Sequence, residues 1–442
     1  MIKNKTIYAL LLFFGLMSVH RKPAVAESWG QIITVTPFFN KFSENQSGIL
    51  DSHGKVEPYS WGMNVEFETQ KWFDDKFRFT LDVGYKTTFK GKPRDSENSF
   101  DTFDSDTGII ELSLNNKITD NQFIEAGVLP CNFGNSLFLN PYNYLNRYVN
   151  DPSVYGAYSF PGIKYTITTS SSSYSFLWLP CLADPDNVGE TTFLAELVQA
   201  GKTKNLTMLQ GNYYLGEGRL SLALYAEEKE AWQFDGPYLG TGLEAQFPIY
   251  SGCIFNLQFL HSNGLAKKGL QPIMGAPGIY EFEKIAGSEN NGYSEIIATV
   301  GFKLFSALDI TLGYAFNERG ITKETMRQFS NGVAALDGKG DPNYSAVMGS
   351  ALDLGYSPLD YVRQLGLINL NISQITEYLS LNAANFISLD DGSVETNLFL
   401  EYIINDQTYV DFIGMYRSGD KNSIFGSAFK QSSIGLQLKF VF

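Results

Sequence analysis

A histidine beside a serine is the first pair in this chain that could do covalent chemistry: His261-Ser262-Asn263-Gly264 puts an imidazole base next to a hydroxyl. The spacing argues against it. Cys253 to Phe259 alternates as a β-strand leading into this point, and neighbours i and i+1 on a strand point to opposite faces, so base and nucleophile part company. Ser-Asn-Gly is also ordinary turn chemistry. Five carboxylates, Asp95, Glu97, Asp101, Asp104 and Asp106, crowd one polar stretch with the hard oxygen donors that calcium takes. The glycine and the distal glutamate of an EF-hand are misplaced there, so a solvated acidic loop is the expectation, with no metal site and no cofactor. Three cysteines are an odd number. Cys131 and Cys181 repeat a Leu-Pro-Cys context and would tie two loops together as a disulfide in an oxidising compartment, leaving Cys253 unpaired.

A different pattern places single charges inside apolar alternation. Trp61, Met63, Val65 and Phe67 alternate with Gly62, Asn64 and Glu66, and Phe77 to Tyr85 alternates with Arg78, Thr80, Asp82, Gly84 and Lys86. The same period recurs in 110–118, 220–226, 243–249, 253–259, 296–304, 310–316, 398–404 and 410–416. A period of two puts the two sets on opposite faces of a strand. The second face carries charges of both signs, which a dry core accepts only with partners and a water-filled lumen accepts freely. Glu66, Arg78, Asp82, Lys86, Glu244, Lys303, Glu401 and Lys439 are the candidate charged lining of such a lumen.

The ends of the chain distinguish a membrane barrel from a soluble sandwich. Lys3 and Lys5 precede an apolar core, Ile7 to Val19, and Ala24-Val25-Ala26 has the small-x-small form of a cleavage site, so 1–26 reads as a signal peptide. No later run of about 18 apolar residues exists to span a membrane as a helix. Removing 1–26 takes away Lys3, Lys5, Arg21 and Lys22 and moves the net charge from -14 to -18, an acidity that argues against nucleic acid as a partner. At the other end, Ile434, Leu436, Leu438, Phe440 and Phe442 alternate with polar Ser433, Gln437 and Lys439, over the roughly ten residues a transmembrane strand needs.

This ending resembles the closing strand of the bacterial outer-membrane β-barrel porin superfamily. The resemblance implies that these five residues are the signal read by the barrel-assembly machinery, that the lipid of the outer membrane of a diderm bacterium surrounds the wall, and that small hydrophilic solutes are the cargo. Glu125 to Asn146 also resembles porin-like families related to the alginate-export barrels, through Gly127, Phe133-Gly134 and Asn140-Pro141, with Phe133 where tryptophan is expected. His261-Ser262-Asn263-Gly264 resembles the His-x-Ser-Asn-Gly signature of outer-membrane phospholipases, with the intervening residue missing.

Short links at 118–122, 170–172, 201–205, 305–309 and 405–407 alternate with long polar excursions around 40–58, 88–107, 132–161, 261–294 and 317–364. Short turns on one rim and long loops on the other belong to transmembrane barrels. Candidate segments number 19, an odd count that a single-chain barrel with both ends on one side does not allow. One segment between 181 and 260 is therefore surplus, and the expected fold is all-β: an antiparallel transmembrane barrel of about 18 strands, 16 being next, filling 27–442 as one domain with long extracellular loops. Such a barrel suits passive or weakly selective diffusion. A structural or adhesive barrel with binding loops is the alternative, and an outer-membrane lipid hydrolase a minor one. Within 317–364, the apolar Val347 to Leu354 is expected either to fold into the lumen or to cap neighbouring loops. Deleting Phe442, or replacing it with Asp, is expected to leave secretion intact and lower the amount of folded, inserted protein, read as the heat-modifiable band on gels; a band at wild-type level would refute the assembly role.

Overall fold

The strict alternation becomes a single closed sheet. The computed structural model describes residues 30–44, 58–73, 75–91, 102–130, 159–183, 203–228, 237–263, 268–285, 291–336, 341–351, 361–428 and 430–442. Its strands are β1 (Gly30–Glu44), β2 (Tyr59–Trp72), β3 (Phe77–Lys90), β4 (Thr102–Thr119), β5 (Gln122–Pro130), β6 (Ser159–Thr168), β7 (Ser172–Ala183), β8 (Thr203–Leu215), β9 (Gly218–Glu227), β10 (Tyr238–Tyr250), β11 (Cys253–Ser262), β12 (Lys268–Pro272), β13 (Tyr280–Lys284), β14 (Tyr293–Phe305), β15 (Leu308–Asn317), β16 (Gln364–Thr376), β17 (Leu379–Ser388), β18 (Val394–Asn405), β19 (Thr408–Ser418) and β20 (Lys430–Val441). Eighteen of them pair antiparallel with their neighbours around a ring, and β12 and β13 form a separate hairpin. The ring closes where β1 pairs with β20.

The count of 18 agrees with the even number required, and the surplus segment is located by the turns. The expected link at 201–205 does not join two barrel strands, because Thr203 already begins β8; the turn lies at 216–217, where Gly216 takes a φ of +63°. Residues 184–202 lie outside the described residues. β1 also runs on to Glu44, and β4 starts at Thr102, so the excursions expected at 40–58 and 88–107 are shorter than the sequence indicates. Asp104 and Asp106 thus belong to a strand and do not share one loop with Asp95, Glu97 and Asp101, which lie outside the described residues, as do Cys131, Phe133-Gly134, Asn140-Pro141 and the signal segment. Cys181 falls within β7, and Cys253 is a buried free thiol.

All turns on one rim are short, at 73–76, 120–121, 169–171, 216–217, 251–252, 306–307, 377–378 and 406–407, and both ends of the ring lie on this rim. The other rim carries the long connections and one tight turn, 389–393. Among the described residues, two of those connections carry a hairpin or α-helices. Between β11 and β14 the β12–β13 hairpin stands on its own; between β15 and β16 lie α1 (Lys323–Ala334) and α2 (Tyr344–Ser350). Thr322 caps α1, its hydroxyl accepting from the Thr325 N–H at 3.1 Å. These elements are absent from an expectation of strands and little else: α2 and the hairpin strands are short, and α1, with Met326, Phe329 and Val333 at helical spacing, falls inside a stretch that reads as a polar excursion.

The two faces of the wall are told apart by burial. Ser221, Glu244, Gln258 and Asn369 are each at most 3% exposed although polar, while Ile368, Leu398 and Leu224, on the alternate positions, are 44–56% exposed although apolar. The first set is concave and the second convex, the reverse of a soluble protein. On β20 the register puts Ile434, Leu436, Leu438 and Phe440 on the convex face with Phe39, Val35, Phe412 and Val410, and Gln437 on the concave face with Phe38 and Asp411. Leu436 lies mid-strand, so Leu436→Arg is expected to cost about 2–4 kcal/mol of insertion and Leu438→Arg, nearer the turn rim, less. Gln437→Arg should insert normally; equal damage by the inward and outward arginines in a refolding titration would contradict this facing.

Candidate functional site

The concave face is the surface on which polar side chains gather, and its composition follows directly from strand parity. Opposed residues in an antiparallel pair share a face, so the register carries one row of inward positions from strand to strand. All eight charged residues expected on the polar face occupy such inward positions: Glu66, Arg78, Asp82, Lys86, Glu244, Lys303, Glu401 and Lys439. They are not one constellation. Glu66 and Asp82 lie on adjoining strands near mid-height, with Glu68 and Glu111 in the same row as Asp82. Arg78 sits over the Trp72 ring, 5.5 Å from its centroid, and Lys439 over Tyr409 at 5.9 Å. Lys303 faces Asp309 near the turn rim, and Glu401 faces Asp411.

Several inward charges are held in hydrogen-bonded sets that the sequence reading did not single out. Glu244 receives Arg219 at 2.5 Å and the Gln258 amide at 3.0 Å, joining β9, β10 and β11. Glu125 receives Lys164 at 3.1 Å and Asn115 at 2.7 Å, joining β4, β5 and β6. Glu395 receives the Arg417 Nε at 2.7 Å, both side chains being at most 10% exposed. Removing either member of that last pair would strand a buried charge, which costs on the order of 3–5 kcal/mol. Glu395 and Arg417 were missed because they lie just past the ends of the alternating segments at 398–404 and 410–416. Extending the same parity by three residues finds both.

One inward row also contains a phase change invisible in the sequence. Between Asp82 and Val83 the register of β3 against β4 shifts by one, so the parity that puts Glu111 and Ser113 on the concave face, on the turn-rim side of the shift, does not carry through it. An extra residue in one strand reverses the parity beyond it. Gly127, beside this region, has a φ of +134°, and a Cβ there would come within 2.0 Å of the Leu112 carbonyl oxygen. Glycine is required at that position.

His261 and Ser262 take opposite faces: Ser262 pairs with Gly240 on the concave side and His261 with Thr241 on the convex side. The imidazole instead meets Ser294 of β14, Nδ1 to Oγ at 3.1 Å, tying two strand ends together at the loop rim.

The structured loops stand on the concave wall. Met326 and Phe329 of α1, Val347 and Met348 of α2, Ala351 after it, and Ile279 and Phe282 of the hairpin region form one buried apolar cluster with inward-facing Leu365 of β16 and Ala384 and Phe386 of β17. The Phe282 N–H donates to the Ser350 hydroxyl at 3.0 Å, and Arg319 pairs with Glu295 of β14. Ile424 and Phe425, from the connection between β19 and β20, complete the cluster; the Ile424 N–H donates to Asp391 at 2.8 Å. The described part of the apolar 347–354 segment therefore meets both alternatives in part, packing on a neighbouring loop and on the inner wall at the mouth.

No protein-family model matches the chain, and no curated protein matches it either. Solved structures do. OccAB1 of Acinetobacter baumannii matches over 96% of this chain and 98% of its own, at 11% identity and a TM-score of 0.53. OccK5 (OpdH) of Pseudomonas aeruginosa matches over 95% and 99%, at 11% identity and 0.52, and OpdL of the same organism over 94% and 99%, at 11% and 0.51. The shared property is the fold, from end to end. Deleting Val347 to Leu354 is expected to raise single-channel conductance, because it removes apolar mass from the mouth; unchanged conductance in a variant that still folds and inserts would put the segment clear of the passage.

Proposed function

We propose that this protein is an outer-membrane channel for the passive or weakly selective diffusion of small hydrophilic solutes. The observation that carries the reading is the inversion of faces in a closed 18-strand wall, with apolar side chains outside and charges, amides and hydroxyls inside. A wall of that many strands at the usual spacing and tilt has a backbone diameter of about 35 Å, in the range that leaves an aqueous channel, whereas eight strands are filled by side chains. The structures it matches are outer-membrane porins, which supports the same reading.

Orientation follows from the rims. Short turns and both ends of the ring face the periplasm, and the long connections with α1, α2 and the hairpin face outward. The 1–26 segment supplies export, and the alternating C-terminal strand ending at Phe442 supplies the signal to the assembly machinery. Solute traffic then runs past the loop cluster at the mouth and along the charged and amide-bearing wall, whose paired charges are already neutralised and whose unpaired ones set the local field. Chemistry on a bound substrate is not part of this reading: His261 and Ser262 face opposite ways.

Planar-bilayer recording on the refolded 27–442 chain is the direct test. Stepwise conductance in KCl is expected. A folded, inserted protein that gives no steps would instead favour a structural or adhesive barrel.

A further inference from the structure

The inner wall is not uniform in its chemistry. From β11 through β14 to β18, six adjoining strands, the inward face at mid-height carries a run of uncharged hydrogen-bonding groups, with the charged Lys303, Asp309 and Glu401 nearer the turn rim. Asn256 and Thr299 face each other across β11 and β14, Thr311 adjoins Asn369 across β15 and β16, Asn371 faces Asn382 across β16 and β17, and Asn397 follows on β18. Their hydrogen-bonding capacity is largely unspent. The Asn256 amide reaches the Thr299 hydroxyl only at 3.4 Å, and Asn371 and Asn382 make no side-chain hydrogen bond to any described residue. Asn397 is engaged, donating to Glu395 at 2.9 Å.

Position makes this wall more than an average polar surface. Along β16 the inward residues change from Leu365 and Leu367, against which α1 and α2 pack, to Asn369 and Asn371; along β17 the order from the mouth is Phe386, Ala384, Asn382. A solute that passes the loop cluster therefore meets amides next. Across the ring, beginning four strands from β18, lie β2 to β4, where Glu68, Asp82 and Glu111 share a row beside Glu66. Arg78 and Lys86 lie four residues to either side of Asp82 along β3.

We infer that this wall is a transient binding surface for uncharged, hydroxyl-rich solutes of carbohydrate type, and that the facing carboxylate row disfavours anionic ones. An amide offers a donor and an acceptor side by side, as a hydroxyl does, so a row of them exchanges hydrogen bonds with successive hydroxyls at little cost, where a charged ladder would hold a counter-ion instead. The inference rests on the channel reading and deepens it by naming the solute class.

The test is single-channel recording of the refolded 27–442 chain in KCl with maltotriose as probe. Maltotriose is expected to produce transient blockades, and the Asn371→Leu, Asn382→Leu double variant, with the same number of side-chain atoms, to lose blockade affinity by at least about tenfold relative to the wild-type protein. With the wild-type protein alone, trigalacturonate should block more weakly than maltotriose. Absence of KCl steps would remove the channel reading itself. Steps with no effect of maltotriose, equal blockade in the double variant, or trigalacturonate blocking as well as maltotriose would overturn the solute class and leave the channel standing.

Discussion

Everything in this structure depends on the requirement that a backbone surrounded by lipid satisfy its own hydrogen bonds. Hydrocarbon offers no partner for a free N–H or C=O, so a sheet that crosses a membrane must have no edge. The chain meets that demand at one seam. The N–H of Ile33 donates to the carbonyl of Phe442 at 3.1 Å and the N–H of Phe442 to the carbonyl of Ile33 at 2.9 Å, so the last residue closes the ring against the first strand. An antiparallel ring with both ends on one rim must contain an even number of strands.

Closure also divides the labour between the two faces. The convex side has one task, to be apolar, and large side chains such as Leu222, Leu224, Phe412 and Leu436 carry it. All specific chemistry is therefore pushed to the concave side. There the protein uses two devices. Charges are bundled with amides into sets that span three strands, as around Glu244 and Glu125, and the loop elements are anchored by an apolar cluster on β16 and β17. The cluster fixes which part of the mouth the helices occupy and so which part of the wall lies beneath them.

The parity of the strands was legible in the residues, because a lipid-facing position tolerates so few types that alternation survives in nearly every segment. Glu66, Arg78 and Lys439 could be put on the inward face on that ground alone. Parity is silent where the backbone departs from regularity. The register shift opposite Asp82 changes which residues of β4 face inward, and the turn at 216–217 cannot be told by composition from the glycine-containing stretch at 201–205. The seven-residue α2 leaves no period long enough to read.

Local composition determined the all-β class, the approximate number of strands and the two faces, since these follow from nearest-neighbour geometry along one chain. Which inward residues meet was decided only by the fold. Arg219 finds Glu244 and Arg417 finds Glu395 through the register of neighbouring strands, and Val347 finds Phe386 because a connection folds back on the wall. Pairing across strands depends on shear and closure, which are properties of the whole ring, and no stretch of sequence short enough to show a pattern contains them.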